Sequence, residues 1–175
     1  MSRDVIDRAL AIPGDTEADV LAWLYERASG MASVVEIGCK FGRSACVLAW
    51  ACPQGVTTID SFEEGDGSMF AQAQNYLSFM APGRVKFLAM DSVEAAKEIE
   101  SVEMLFVDGD HSLEGVMRDL TAWTPKVSRL ICGHDYDETF PGVRMAVDML
   151  AAVRGKRLGL GPGSIWYMET VQQLR

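Results

Sequence analysis

The chain has 175 residues, a length for one domain with a single hydrophobic core. Hydrophobic residues make up 49% and charged residues 23%, a balance that excludes a disordered chain. A net charge of −9 repels a long nucleic acid, and no apolar run reaches the roughly 18 residues that a membrane helix needs. The densest basic cluster, Arg154-Gly155-Lys156-Arg157, is too short to reverse that reading. No basic-apolar-small signal opens the chain, so the expectation is a cytoplasmic protein acting on a small molecule, without nucleic acid or membrane. Cys39, Cys46, Cys52 and Cys132 form no CxxC pair and read as reduced, mostly buried thiols.

Residues 1–14 read as an irregular N-terminal segment, or a short helix, ending at Pro13-Gly14. Asp15-Thr16-Glu17 supplies a capped start to a helix carrying Val20, Leu21, Trp23, Leu24 and Ala28. Ser33–Ile37 reads as the first strand. Arg43 to about Cys52 is small and apolar, a buried helix broken by Pro53-Gln54-Gly55. Val56–Asp60 is β-branched and reads as the second strand. An acidic loop over 61–67 leads into an amphipathic helix, Ser68–Met80, that ends before Pro82-Gly83. Val85–Met90 is the third strand, and Asp91-Ser92 caps a helix over Val93–Ile99. Met104–Val107 is the fourth strand, and the Leu113–Trp123 helix stops at Pro125. Arg129–Gly133 is the fifth strand. Phe140-Pro141-Gly142 opens a helix carrying Val143, Ala146, Val147, Leu150 and Val153. Arg157–Leu160 and Ile165–Glu169 read as strands joined by Gly161-Pro162-Gly163. The alternation predicts a single α/β domain over 1–175: a doubly wound, Rossmann-like, mostly parallel sheet with right-handed crossovers. The closely spaced last pair predicts an antiparallel C-terminal β-hairpin.

Four strands end in acids or acid-bearing loops: Glu36, Asp60, Asp91 and Asp108. In open α/β sheets ligands bind outside the carboxyl ends of the strands, so these acids converge on one crevice. A pyrophosphate is poorly served there. The first loop, Gly38-Cys39-Lys40-Phe41-Gly42, lacks the middle glycine that lets a pyrophosphate approach. S-adenosyl-L-methionine, with an ammonium, a sulfonium and two ribose hydroxyls, fits better. Asp60 is assigned to the ribose, and the backbone of Gly38, Cys39, Lys40 and Gly42 to the methionine portion. Glu36 orients that loop or reaches the ammonium through water. Met90, Asp91 and Ser92 face the adenine, with Asp91 near its exocyclic amine. Ser61 and Asp108 complete the expected cofactor contacts.

Three segments carry a family likeness: Glu36–Ser44, Val107–Val116, and Gly133-His134-Asp135-Tyr136 followed by Pro141–Asp148. Together they resemble the class I S-adenosylmethionine-dependent methyltransferases. The branch is the methyltransferase-24 domain, related to the macrocin-type sugar O-methyltransferases and more distantly to the catechol-type enzymes. The likeness covers about 16–170 and implies a seven-stranded sheet with a reversed last strand.

Asp108-Gly109-Asp110-His111 and His134-Asp135 end neighbouring strands, and two carboxylates with an imidazole there make a divalent metal site. By resemblance the ligands are Asp108, His134 and Asp135, holding Mg2+ or Mn2+. The sugar O-methyltransferases have an acid where His134 stands, and imidazole suits manganese, iron or zinc better than magnesium. The resulting expectation is metal-assisted O-methylation of a small-molecule hydroxyl, with Asp110 or His111 taking the proton. The same residues can instead cap the next helix. A metal-independent N- or C-methyltransferase, a catalytically silent cofactor-binding module and a nicotinamide oxidoreductase stay open as alternatives. Acceptor contacts are expected from Phe62–Met69 and Tyr136–Phe140, and a homodimer could cover the cleft. Tyr136 lines the pocket or packs. Trp123, Trp166 and the methionines at 69, 80, 90, 104, 117, 145, 149 and 168 read as packing.

Overall fold

A computed structural model describes residues 2–63 and 67–170. The expected acidic stretch Glu63-Glu64-Gly65-Asp66 falls outside them except for Glu63. The elements run α1 (Ser2–Leu10), α2 (Ala18–Ala28), β1 (Val34–Ile37), α3 (Arg43–Ala51), β2 (Val56–Asp60), α4 (Met69–Met80) and β3 (Val85–Ala89). They continue with α5 (Ser92–Glu98), β4 (Val102–Val107), α6 (Leu113–Trp123), β5 (Val127–Gly133), α7 (Pro141–Arg154), β6 (Gly159–Leu160) and β7 (Trp166–Glu169). A 3-10 turn, Thr124–Lys126, carries Pro125 between α6 and β5.

The seven strands form one sheet in the order β3-β2-β1-β4-β5-β7-β6. The first five are parallel; β7 lies antiparallel between β5 and β6. The expected hairpin and reversed last strand are both present. Chain order reverses between β1 and β4, which pair Val35 with Leu105 and Ile37 with Val107. A crevice opens at such a switch point.

Strand alternation sorts the core into two layers. Val34, Met104, Phe106, Leu130 and Cys132 face α1 to α4, with Leu21, Leu24, Val47 and Leu48 packed on them. Val35, Ile37, Leu105, Val107 and Ile131 face α5 to α7, with Leu120, Trp123, Val143 and Val147 on that side. Each such apolar side chain contributes about 1.5–3 kcal/mol when fully buried. All four cysteines are buried and unpaired, as read, and Trp123 and Trp166 are core.

Three local readings change. The segment read as irregular or a short helix resolves to the helix, the nine-residue α1, whose Val5 and Ala9 are buried. Asp15-Thr16-Glu17 gives no side-chain cap: Glu17 holds the N-cap position without one, and the Asp19 carboxylate accepts the Val20 N–H at 2.8 Å instead. Met145 and Met149, read as packing, instead lie 53% and 48% exposed on α7.

Gly38 is where β1, β2 and β4 are fastened together. Its N–H donates to Ile59 O at 2.8 Å, and Asp108 N–H donates to Ile37 O at 2.8 Å. Its φ is +90°, and a β-carbon there would stand 2.0 Å from Asp108 O. Both the left-handed backbone and the approach of another main chain demand glycine. Gly38→Ala is expected to cost about 2 kcal/mol or more, read as a lower urea midpoint with an unchanged m-value.

Candidate active site

A cleft lies over the carboxyl ends of β1 to β4. Gly38, Lys40, Asp60, Ser61 and Met69 line one side; Met90, Asp91, Ser92, Asp108, Gly109, Asp110 and His111 line the other, with Gly115, Arg118 and Asp119 from α6. Asp60 shapes the first loop. Its Oδ2 accepts the N–H groups of Cys39 and Lys40, each at 2.9 Å, and its Oδ1 accepts Phe62 N–H at 2.8 Å. Gly42 N–H donates to Cys39 O at 2.8 Å and Gly38 N–H to Ile59 O. Four of the five loop amides, at 38, 39, 40 and 42, are thus engaged inside the protein. Lys40 and Phe62 adopt left-handed backbones, φ 50° and 54°, that aim these amides at the carboxylate. The Lys40 ammonium pairs with Asp15 at 2.8 Å.

Glu36 lies beneath that loop, fully buried, and is not among the cleft-lining side chains. Its Oε2 accepts the Thr58 hydroxyl at 2.6 Å, while Oε1 has no hydrogen-bond partner. Burial pushes the carboxyl up to about 8, against the opposing pull of the Ser44 and Thr58 hydroxyls. At the end of β3, Asp91 caps α5 through Oδ1, which accepts Val93 and Glu94 N–H at 2.9 and 3.2 Å. Its Oδ2 accepts Arg118 at 3.0 Å.

The second constellation assembles around Asp135. Its Oδ2 meets His111 Nε2 at 2.7 Å and its Oδ1 meets His134 Nδ1 at 3.0 Å. Asp108, His111 and Asp135 each offer a ligand atom within 4.8 Å of the other two, and His134 Nδ1 stands 4.0 Å from Asp108 Oδ1. His111 stacks on Phe140 with ring centroids 4.3 Å apart. Asp110 is turned to the helix start: its two oxygens accept the Ser112 N–H at 2.7 Å and hydroxyl at 3.0 Å. Ser112 in turn caps α6 by accepting Gly115 N–H at 3.0 Å. Ser112 is thus the cap of α6, and Asp110 supports it. Tyr136 turns away, its hydroxyl donating to Asp148 on α7 at 2.7 Å.

Ser164 went unread in the sequence. Its hydroxyl accepts Asp135 N–H at 3.0 Å and lies 3.4 Å from His134 Nε2, and its carbonyl accepts Tyr136 N–H at 2.9 Å. It thereby holds Asp135 in a left-handed backbone, φ 63°. The signal was topological: a reversed last strand beside β5 must begin where β5 ends, and Gly133 pairs with Trp166.

Electrostatics follow from burial. Desolvation pushes Asp108 up to about 7, with His134 opposing and Asp135 adding to the rise. The hydrogen bond that His111 donates to Asp135 raises its imidazole; at His134 burial pulls down, but Asp135 and Asp108 outweigh it. Burial also works to raise Asp135, yet the two imidazoles hold it well below the usual carboxylate range. Glu36, Asp108, His111 and His134 all bind protons more tightly when folded. Their stabilisation is complete at low pH and is lost as pH rises through about 7 for Asp108 and about 8 for Glu36. Asp135 acts oppositely, its contribution fading in strong acid as pH falls toward its lowered value. With chelator present, the melting temperature is expected to fall from about pH 4 to about pH 8, and Glu36→Gln should flatten the fall.

Among solved structures, a Corynebacterium glutamicum protein superposes with a TM-score of 0.74 at 15% identity, covering 98% of this chain and 92% of its own. A Bacillus cereus O-methyltransferase, solved with SAH, gives 0.70 at 19% identity, covering 98% and 90%. A Streptomyces achromogenes O-methyltransferase involved in tomaymycin synthesis, solved with SAM, gives 0.67 at 18% identity, covering 97% and 89%. At those identities the likeness is one of fold. No curated protein sequence matches the chain. The family model described as a methyltransferase domain matches residues 35–136, more than half the length and the span that holds every strand-end acid described above. The chain belongs to the methyltransferase-24 family.

Proposed function

We propose that the chain transfers a methyl group from S-adenosylmethionine to the hydroxyl of a small molecule, with a divalent metal aiding the acceptor. The observation that carries the cofactor reading is the state of the first loop. Its amides are engaged by Asp60, Ile59 and Cys39. A phosphate needs free N–H groups, so the loop is unsuited to one. The cleft is lined instead by Asp60, Asp91, Asp108, Asp110 and Asp119, which suit a ligand with an ammonium and a sulfonium. The Bacillus and Streptomyces O-methyltransferases of the same fold were solved with SAH and SAM.

The donor set around Asp135 fits a divalent metal: two carboxylates and two imidazoles converge, and the Asp108 carboxyl is held near neutrality by burial in their midst. Asp108, His134 and Asp135 would hold the ion. When bound, it supplies Lewis acidity that lowers the acceptor hydroxyl's pKa. His111 takes the acceptor proton. Its side chain is 41% exposed where that of His134 is 20%, and a base must reach the acceptor while a ligand need not. Phe140 fixes the imidazole plane by stacking. A base must also be neutral, and in the free protein Asp135 raises the His111 imidazole. A dication beside Asp135 would remove that cause.

Turnover of S-adenosylmethionine with a panel of phenolic and sugar hydroxyls is expected to stop with chelator and return with Mg2+ or Mn2+; chelator-insensitive turnover would reject the metal. His111→Gln should lower kcat by about 100-fold or more while keeping metal affinity, and His134→Gln should weaken metal binding measured by calorimetry. The opposite pattern would exchange the two roles.

A further inference from the structure

Inside α6, between the buried Val116, Leu120 and Trp123, sits Asp119, 6% exposed. An apolar residue would pack there without the desolvation penalty of a carboxyl, so the acid needs a reason to be present. Its partner is Ser92, whose hydroxyl donates to Asp119 Oδ1. The same helix makes two more bonds to this turn: Trp123 Nε1–H donates to Ser92 O at 3.0 Å and Arg118 to Asp91 Oδ2 at 3.0 Å. Ser92 and Asp119 both line the cleft. Arg118 and Trp123 fasten the turn, but only Asp119 acts on the Ser92 side chain.

We propose that Asp119 is a positioning residue for the base of the cofactor, acting through the Ser92 hydroxyl, an inference that rests on the S-adenosylmethionine reading above. With its proton committed to Asp119, the Ser92 oxygen has only acceptor lone pairs left for the cleft. An acceptor there suits the exocyclic amine of a 6-aminopurine and leaves the carbonyl of a 6-oxopurine unmatched. Burial pushes the Asp119 carboxyl up to about 6, with the Ser92 hydroxyl drawing it down, so around neutral pH it accepts from Ser92. Asp119 thus gives Ser92 a fixed polarity, which a serine facing water would lack.

The test compares binding of S-adenosylhomocysteine and S-inosylhomocysteine by calorimetry, with melting temperature recorded for each protein. The unaltered protein is expected to prefer the adenosyl ligand by about tenfold, the size of one hydrogen bond to a charge-oriented group. Asp119→Ala frees the Ser92 hydroxyl to donate, so the preference should shrink to about threefold or less. Asp119→Asn still accepts from Ser92 and should keep it. Ser92→Ala should lose the preference with Asp119 in place, and decides the matter if Asp119→Ala does not fold. A purely structural role would lower the melting temperature without changing the ratio between ligands. Unaltered protein that binds neither ligand overturns the cofactor reading itself. An unchanged preference in Asp119→Ala, or in Ser92→Ala where Asp119→Ala does not fold, overturns only the role of Asp119.

Discussion

The site depends on one carboxylate. Asp60, at the end of β2, accepts two amides from the loop that follows β1 and one from its own loop. Charge-assisted bonds of this kind are about twice as strong as neutral ones. They hold Lys40 in a backbone conformation that a lysine otherwise avoids. With that loop fixed, Gly42 can begin α3 in a left-handed turn, and Gly38 can lie against the β4 main chain at Asp108. The two halves of the cleft are therefore set relative to one another by backbone contacts, which side-chain motion does not disturb.

Around this frame the protein concentrates acid where water is scarce. Glu36 and Asp119 are buried and Asp108 is half-buried; desolvation raises all three, and each sits beneath or within the cleft. A core built for stability would not place three carboxyls at one end of a sheet. Two imidazoles bracket Asp135 and offset its charge in the free protein. A divalent cation there would take the electrostatic place of protons on those imidazoles, and the two would compete for it.

Much of the fold was legible. Val56–Asp60 and Leu113–Trp123 have the boundaries their sequence predicts, because β-branched runs and capped apolar periods are local signals. The close spacing of Arg157–Leu160 and Ile165–Glu169 already excluded a crossover helix. The N-terminal helix was harder to see, since Asp4, Asp7 and Arg8 dilute its apolar face while Val5 and Ala9 carry it. At the site, residue types were legible but partners were not. Nothing near Asp60 in sequence shows that it answers to Cys39 and Lys40, because that contact crosses between strands. The pairing of His111 with Asp135 and the reach of Ser164 depend on strand order, which no short motif encodes. Asp119 carries no sequence signal of its own, and only its inward face, beside Ser92, singles it out.

Helix α6 explains why the two constellations can work as one. It begins at Ser112, whose hydroxyl is held by Asp110 next to His111, and it ends at Trp123, whose indole is bonded to Ser92. Its 11 residues span about 16 Å at an α-helical rise of about 1.5 Å per residue. Methyl transfer needs the donor sulfur, the acceptor oxygen and a base aligned to within a fraction of an ångström, and such alignment is best kept by a rigid element. Gly115 shows how closely the helix start is fitted: a β-carbon there would stand 2.1 Å from Asp110 Oδ2. Gly142 does the same for α7, whose start presses on the main chain of His111 to Leu113. The loop that bears His111 is thus pinned by α6 on one side and α7 on the other.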